Sequence, residues 1–143
     1  MPVAIKRAYD PPSSHDGTRV LVDRLWPRGL TKEAARIDLW LRDVAPSTEL
    51  RKWFHERPTQ WLAFRKKYLQ ELTTPEASAA LDQLHQLAMR RKPLTLIYSS
   101  KNDSQNNALV LKELLDGMRK PPSSTGPGGV AAGRARVRLP RPK

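Results

Sequence analysis

The sequence predicts one small α/β domain, a mostly parallel sheet flanked by helices, and two observations carry that prediction. Two short apolar runs, Val20 to Asp23 and Leu94 to Tyr98, have the hydrophobicity of strands buried on both faces, and each breaks abruptly into a polar loop. Between them, apolar residues recur at three- and four-residue spacing, which is the period of helices. A chain of 143 residues can bury one real core and is too short for two ordinary ones.

The elements follow in order. Val3 to Tyr9 alternates Val3, Ile5 and Arg7 against Ala4, Lys6 and Ala8, a first strand with one wetter face. Asp10 to Thr18, with its prolines, serines and Asp-Gly, reads as an ordered loop long enough to fold over the carboxyl end of that strand. Val20 to Asp23 is the second strand. Thr31 caps a short helical turn through Arg36, and Ile37 to Leu41 fits a third strand or a continued helix, of which the strand is preferred. Ser47 and Glu49 mark the start of a helix that runs to about Glu56, with Leu50, Trp53 and Phe54 on one face. Pro58-Thr59 opens the next, where Trp61, Phe64, Tyr68 and Leu72 recur and Arg65 to Lys67 form a solvated face. Thr74-Pro75-Glu76 opens a third, whose basic end, Arg90 to Lys92, complements the helix dipole. After the strand Leu94 to Tyr98 and the polar loop, a last helix starts at about Asn106 and is stopped by Gly117.

Candidate function sits at the two breaks. Val20 to Val22 run into Asp23, Arg24, Trp26 and Arg28, a carboxylate, two guanidinium groups and an indole at a strand's carboxyl end, where α/β sheets hold ligands. That cluster suits an anionic or planar ligand; alternatively, Asp23 pairs with Arg24 or Arg28 to tie down a turn, and Trp26 is core. The second break offers Ser99, Ser100 and Lys101 ahead of a helix start, either a generic anion pocket or an ordinary capped connection. It lacks the glycines and the Gly-Lys-Ser/Thr ending of a Walker loop.

If the two apolar strands are parallel neighbours, roughly 5 Å apart, both breaks border one cleft that Asp23, Arg24, Arg28, Ser99, Ser100, Lys101 and Asn107 surround. Arg24, Arg28 and Lys101 would bind the anion, Ser99 and Ser100 would donate hydrogen bonds, and Asp23 would orient the recognised group. A loop carrying His15 and Asp16 could form the rim, and His15 is then the neutral-pH acid or base. The catalytic candidates are Asp23 and His15. His55 and His85 read as structural or surface residues.

Composition bounds the rest. The absence of cysteine excludes disulfides, thiolate metal sites and cysteinyl intermediates. Three scattered histidines define no metal site, and no cofactor is predicted. No apolar run is long enough to span a membrane and the amino terminus lacks a secretory pattern, so a cytoplasmic protein is expected. The formal charge is +12, but seven basic and no acidic residues lie from Arg119 onward, leaving +5 on residues 1–118. The chain therefore divides into a domain, 1–118, and a basic Pro/Gly-rich tail, 119–143, expected to be disordered when alone. The alternative function is a nucleic-acid-binding accessory protein that uses the basic surface and tail, although no aromatic is interleaved with the tail arginines. Trp53, Phe54 and Trp61 would serve a core or a homodimer interface equally well, which leaves oligomeric state open.

The same residues carry a resemblance. Lys6 to Pro11, Asp16 to Gly29, Ala45 to His55 and Leu94 to Leu111 resemble the YeaO-like family of uncharacterised bacterial proteins, a branch of domain of unknown function 488, over about residues 3 to 117. The resemblance implies a small cytoplasmic α/β domain without an assigned reaction. Members commonly carry a histidine where this chain has Asn107; if that histidine is catalytic in relatives, this protein is altered or inactive. The tail after Lys120 lies outside the resemblance.

Overall fold

A computed structural model describes residues 3–119. The basic tail, apart from Arg119, lies outside the described residues. Four strands form one sheet: β1 (Ala4–Arg7), β2 (Thr18–Leu21), β3 (Leu39–Trp40) and β4 (Leu94–Tyr98), in the order β1-β4-β2-β3. Every neighbouring pair is parallel. The helices are α1 (Lys32–Ala35), α2 (Thr48–Glu56), α3 (Trp61–Glu71), α4 (Pro75–Ala88) and α5 (Asn107–Arg119).

The strands alternate between two unequal layers. Val20, Val22, Leu96 and Tyr98 face a large core with Phe64, Tyr68, Leu84, Leu111 and Leu115 of the helices. Leu21 and Ile97 face the other way and are covered by Trp26, Leu30, Ile37 and Trp40, most of them from the irregular segment between β2 and β3. Both central strands are thus buried on each side, and even their polar residues Arg19 and Thr95 are buried. Trp53, Phe54 and Trp61 pack against the large core, with Phe54 stacked on Phe64 at 4.4 Å between ring centroids. Their spacing reports core packing.

Local chemistry sets the helix starts. Thr31 accepts the Ala34 amide and Ser47 accepts the Leu50 amide, the N-cap contacts expected at both positions. The second cap is itself clamped, since Glu71 of α3 accepts both the Ser47 amide and its hydroxyl. Tyr68 donates its hydroxyl to the Val44 carbonyl. Burial first, then the Asp23 and Glu71 carboxylates, push that phenol well above its usual value, so it stays protonated.

Three expectations shift. β2 occupies Thr18–Leu21 and not Val20 to Asp23 because pairing with β4 sets its register, Thr18 opposite Leu94 and Leu21 opposite Ile97. α3 begins at Trp61, three residues after Pro58, because Arg57 and Gln60 close a turn first: the Arg57 amide reaches Phe54 and the Gln60 amide reaches Arg57. Gly117 does not stop α5, which continues to Arg119; the glycine stands in open space and has no left-handed φ.

At the amino edge of the sheet, Gly17 has φ +66°, and a Cβ there would lie 2.2 Å from the Pro93 carbonyl oxygen. Only glycine lets β2 start beside Pro93, where the Thr18 amide bonds to that carbonyl at 3.0 Å. Gly17→Ala should destabilise the protein by at least ~2 kcal/mol, combining left-handed strain with backbone displacement. Urea unfolding reads this directly: a midpoint within error of the parent's would contradict the close approach.

Candidate functional site: a cationic cleft at the strand carboxyl ends

The segment after β2 and the segment after β4 meet. One Asp23 carboxylate oxygen accepts the Ser99 amide at 2.9 Å and the Ser99 hydroxyl at 2.7 Å; the other accepts the Asn107 side-chain amide at 3.2 Å. Asn107 also donates to the Val22 carbonyl at 2.9 Å, which pins the start of α5 to the end of β2. Asp23 is therefore a tie between strand ends, held by three neutral donors. The open question about its partner resolves to neither Arg24 nor Arg28.

Two cavities adjoin this tie, of about 460 Å³ and about 770 Å³, and Asp23, Arg51, Ser99 and Lys101 line both. Arg7, Tyr9, Trp26 and Arg28 extend the smaller one. The larger one continues over Phe54, His55, Phe64, Ser100, Gln105 and Asn107. Six of the expected residues border this space together with Asp23: Ser99 and Lys101 line both cavities, Trp26 and Arg28 the smaller one alone, and Ser100 and Asn107 the larger one alone.

Two expected residues do not belong to it. His15 sits in the 3-10 turn Ser14–Asp16, which returns the chain to the start of β2 and so lies at the amino end of the sheet, where the Asp16 carbonyl accepts the Thr95 hydroxyl. The loop after β1 runs back along the sheet and does not arch over its carboxyl end, so His15 is no rim residue. Arg24 turns beneath the cleft and donates to the Ala45 and Pro46 carbonyls at 3.2 Å each, fastening the entry to α2. Its guanidinium serves the backbone. Trp26 is partly spent too, donating to the Leu30 carbonyl at 2.7 Å and meeting Trp40 edge-on at 5.5 Å.

The amino end of α5 is likewise less open than its sequence suggests, because Asn106 accepts the Leu109 amide at 2.9 Å. Free cationic charge comes from side chains instead. Among the described residues, Arg51 and Lys101 make no ion pair, and both are exposed in the shared wall. Arg7 contributes as well; it donates to the Ser100 and Ser99 carbonyls at 2.9 and 3.4 Å and lies 5.2 Å from the Tyr9 ring centre. Arg28 is positioned through its backbone, whose carbonyl accepts the Tyr9 hydroxyl at 2.9 Å.

Arg51 is absent from the sequence-derived candidates and His55 stands there as a structural or surface residue, yet both line the larger cavity. Their signal was their separation of four on α2, which puts both on the face turned toward the cleft. Among the described residues, no three His, Asp or Glu side chains converge as metal ligands, and no helix is long and apolar enough to cross a membrane.

Asp23→Ala should cost about 2 kcal/mol, since it leaves the Ser99 amide and hydroxyl and the Asn107 amide without their acceptor in a part-buried setting. The Ser99 amide should also exchange its proton faster relative to amides within β4. Unchanged protection there would mean that Asp23 does not hold the two strand ends together.

Fold and site together define a parallel α/β domain with a cation-lined cleft at its strand carboxyl ends and no sulfur nucleophile anywhere in the sequence. The chain belongs to the DUF488-N3i family, described as the inactive DUF488-N3 subclade, which matches residues 2–124. It is similar to the uncharacterized protein YeaO of Escherichia coli K12, 47% identical over 115 residues that make up 80% of this chain and 97% of that one. The uncharacterized proteins Mb3100c of Mycobacterium bovis and Rv3073c of Mycobacterium tuberculosis are each 40% identical over 115 residues, 80% of this chain and 94% of theirs. No solved structure matches the chain.

Proposed function

We propose that this domain binds a small anionic, phosphate- or nucleotide-bearing ligand at the strand carboxyl ends and does not turn it over. The observation that carries this reading is the placement of Arg51 and Lys101 in the wall common to both cavities, each without a carboxylate partner among the described residues. Unpaired cations around a concavity lower the free energy of a bound anion, and Ser100 adds a hydroxyl in the larger cavity, while the Ser99 hydroxyl is held by Asp23. Binding without turnover is favoured over catalysis on two grounds. Asp23 is already engaged by Ser99 and Asn107, and the chain's own subclade is described as inactive.

A thermal-shift panel tests the reading. Inorganic phosphate, nucleoside monophosphates, sugar phosphates and dicarboxylates are compared with their neutral counterparts in the cytoplasm-like conditions this reading assumes. A saturable rise in Tm with at least one anionic series is expected, because a ligand at 100 times its Kd adds about 2.7 kcal/mol. Stabilisation by none of them would overturn it.

A second reading, nucleic-acid binding through the basic surface and tail, draws on the net charge of +12. Steep salt dependence that vanishes on truncation at Lys120 would favour that reading.

A further inference from the structure

The two cavities differ in what lies beyond their common wall, and this asymmetry narrows the ligand class. On one side the wall gives way to Tyr9, Leu25 and Trp26, with Leu25 64% exposed and Tyr9 42% exposed. On the other it gives way to Phe54, His55, Pro58 and Phe64, with Gln105 and Asn102 at the edge. The common wall holds Arg51 and Lys101 beside the engaged Asp23 carboxylate; flat or apolar surface lies on both flanks, next to Arg7 and Arg28 in the smaller cavity and to Lys52 and Glu56 in the larger. At about 460 and about 770 Å³, each cavity can accommodate a group of nucleoside size.

A free phosphate or a sugar phosphate would use the centre and leave both flanks wet. A nucleoside monophosphate would use the centre and one flank. We infer that the ligand is a dinucleotide, in which a phosphodiester lies between Arg51 and Lys101 and one base enters each cavity. The inference rests on the anion-binding reading above. Aromatic and apolar surface flanking a cationic groove is the chemistry by which single-stranded nucleotides are held, base stacking on side chains and the phosphate on charge. The amide of Gln105 can serve as donor and acceptor to a base edge in the larger cavity.

Calorimetric titration of the 143-residue protein at pH 8 with inorganic phosphate, AMP and the dinucleoside monophosphate ApA tests it. ApA carries less negative charge than AMP, so charge alone predicts that AMP binds more tightly. Two occupied flanks predict the reverse, with ApA binding at least about tenfold more tightly than AMP. Leu25→Ser in the smaller cavity and His55→Ala in the larger, both at exposed positions, should each weaken ApA severalfold while leaving phosphate affinity unchanged.

AMP binding as tightly as ApA, or neither variant affecting ApA, would overturn the two-base inference while leaving the anion site intact. No heat or displacement with phosphate, AMP or ApA would overturn both readings.

Discussion

Replacing Arg51 and Lys101 together with Ala should lower the affinity for a phosphate-bearing ligand by about 10³-fold and leave Tm within about 2 °C of the parent. The size follows from two charge-assisted hydrogen bonds at about 2 kcal/mol each, with about 1.4 kcal/mol per tenfold. The stability half follows from exposure: neither side chain meets a carboxylate among the described residues, and exposed substitutions of this kind stay within about 0.5 kcal/mol. Arg24→Ala is the internal control. Its guanidinium holds the Ala45 and Pro46 carbonyls, so the change should cost about 1 to 2 kcal/mol of stability and barely alter affinity. Titration calorimetry beside thermal melts separates the two patterns. Affinity lost with Arg24 and retained without Arg51 and Lys101 would move the site.

The largest stability effect is expected far from the cleft, at Asp16. Its carboxylate accepts Lys6 at 3.1 Å, Arg19 at 2.6 Å and the Ser13 amide at 2.9 Å, while Arg19, 3% exposed, also donates to the Ala35 and Arg36 carbonyls. Asp16→Ala leaves a buried guanidinium without its counter-charge, at a cost of about 3 kcal/mol or more. Burial alone would raise the Asp16 carboxyl's pKa, but the Ser13 amide, Lys6 and Arg19 outweigh it and hold the group below its usual 3.8.

The folded state thus favours the charged form. The resulting stabilisation is complete above the unfolded value near 3.8 and is lost as pH falls through the lower, folded value. Urea midpoints at pH 7, 4 and 2.5 should fall for the parent and fall less for Asp16→Ala. Parallel curves for the two proteins would show that Asp16 is not a source of the acid sensitivity.

The position of Asp16 also explains what could and could not be read from sequence. β4 is legible at its observed bounds because an apolar run, interrupted by Thr95 alone, is enclosed by Pro93 and Ser99. The caps Thr31 and Ser47 are legible because their contacts are local, reaching amides three residues away. The meeting of Asp23 with Ser99 follows from parallel pairing of the two most apolar strands, so that half of the site was predictable from hydrophobicity.

Direction of travel was not legible. Asp10 to Gly17 has the composition of a loop whether it arches over the sheet or returns along it; what sends it back is the grip of Lys6 and Arg19 on the Asp16 carboxylate together with the Thr95 hydroxyl on its carbonyl, a contact 79 residues apart in sequence. The same limit applies to Arg24 and Arg51. Both are arginines near a strand end or helix start, and only the tertiary path of Ala45 and Pro46 decides which one meets solvent in the cleft.

The most direct measurement is a crystal structure of the protein soaked with phosphate. The account predicts an anion within about 3 Å of the Arg51 guanidinium and the Lys101 ammonium, beside Ser99, with Asp23 still bonded to Ser99 and Asn107. An anion bound elsewhere while this wall stays empty, or Arg51 and Lys101 turned away from each other into solvent, would contradict it.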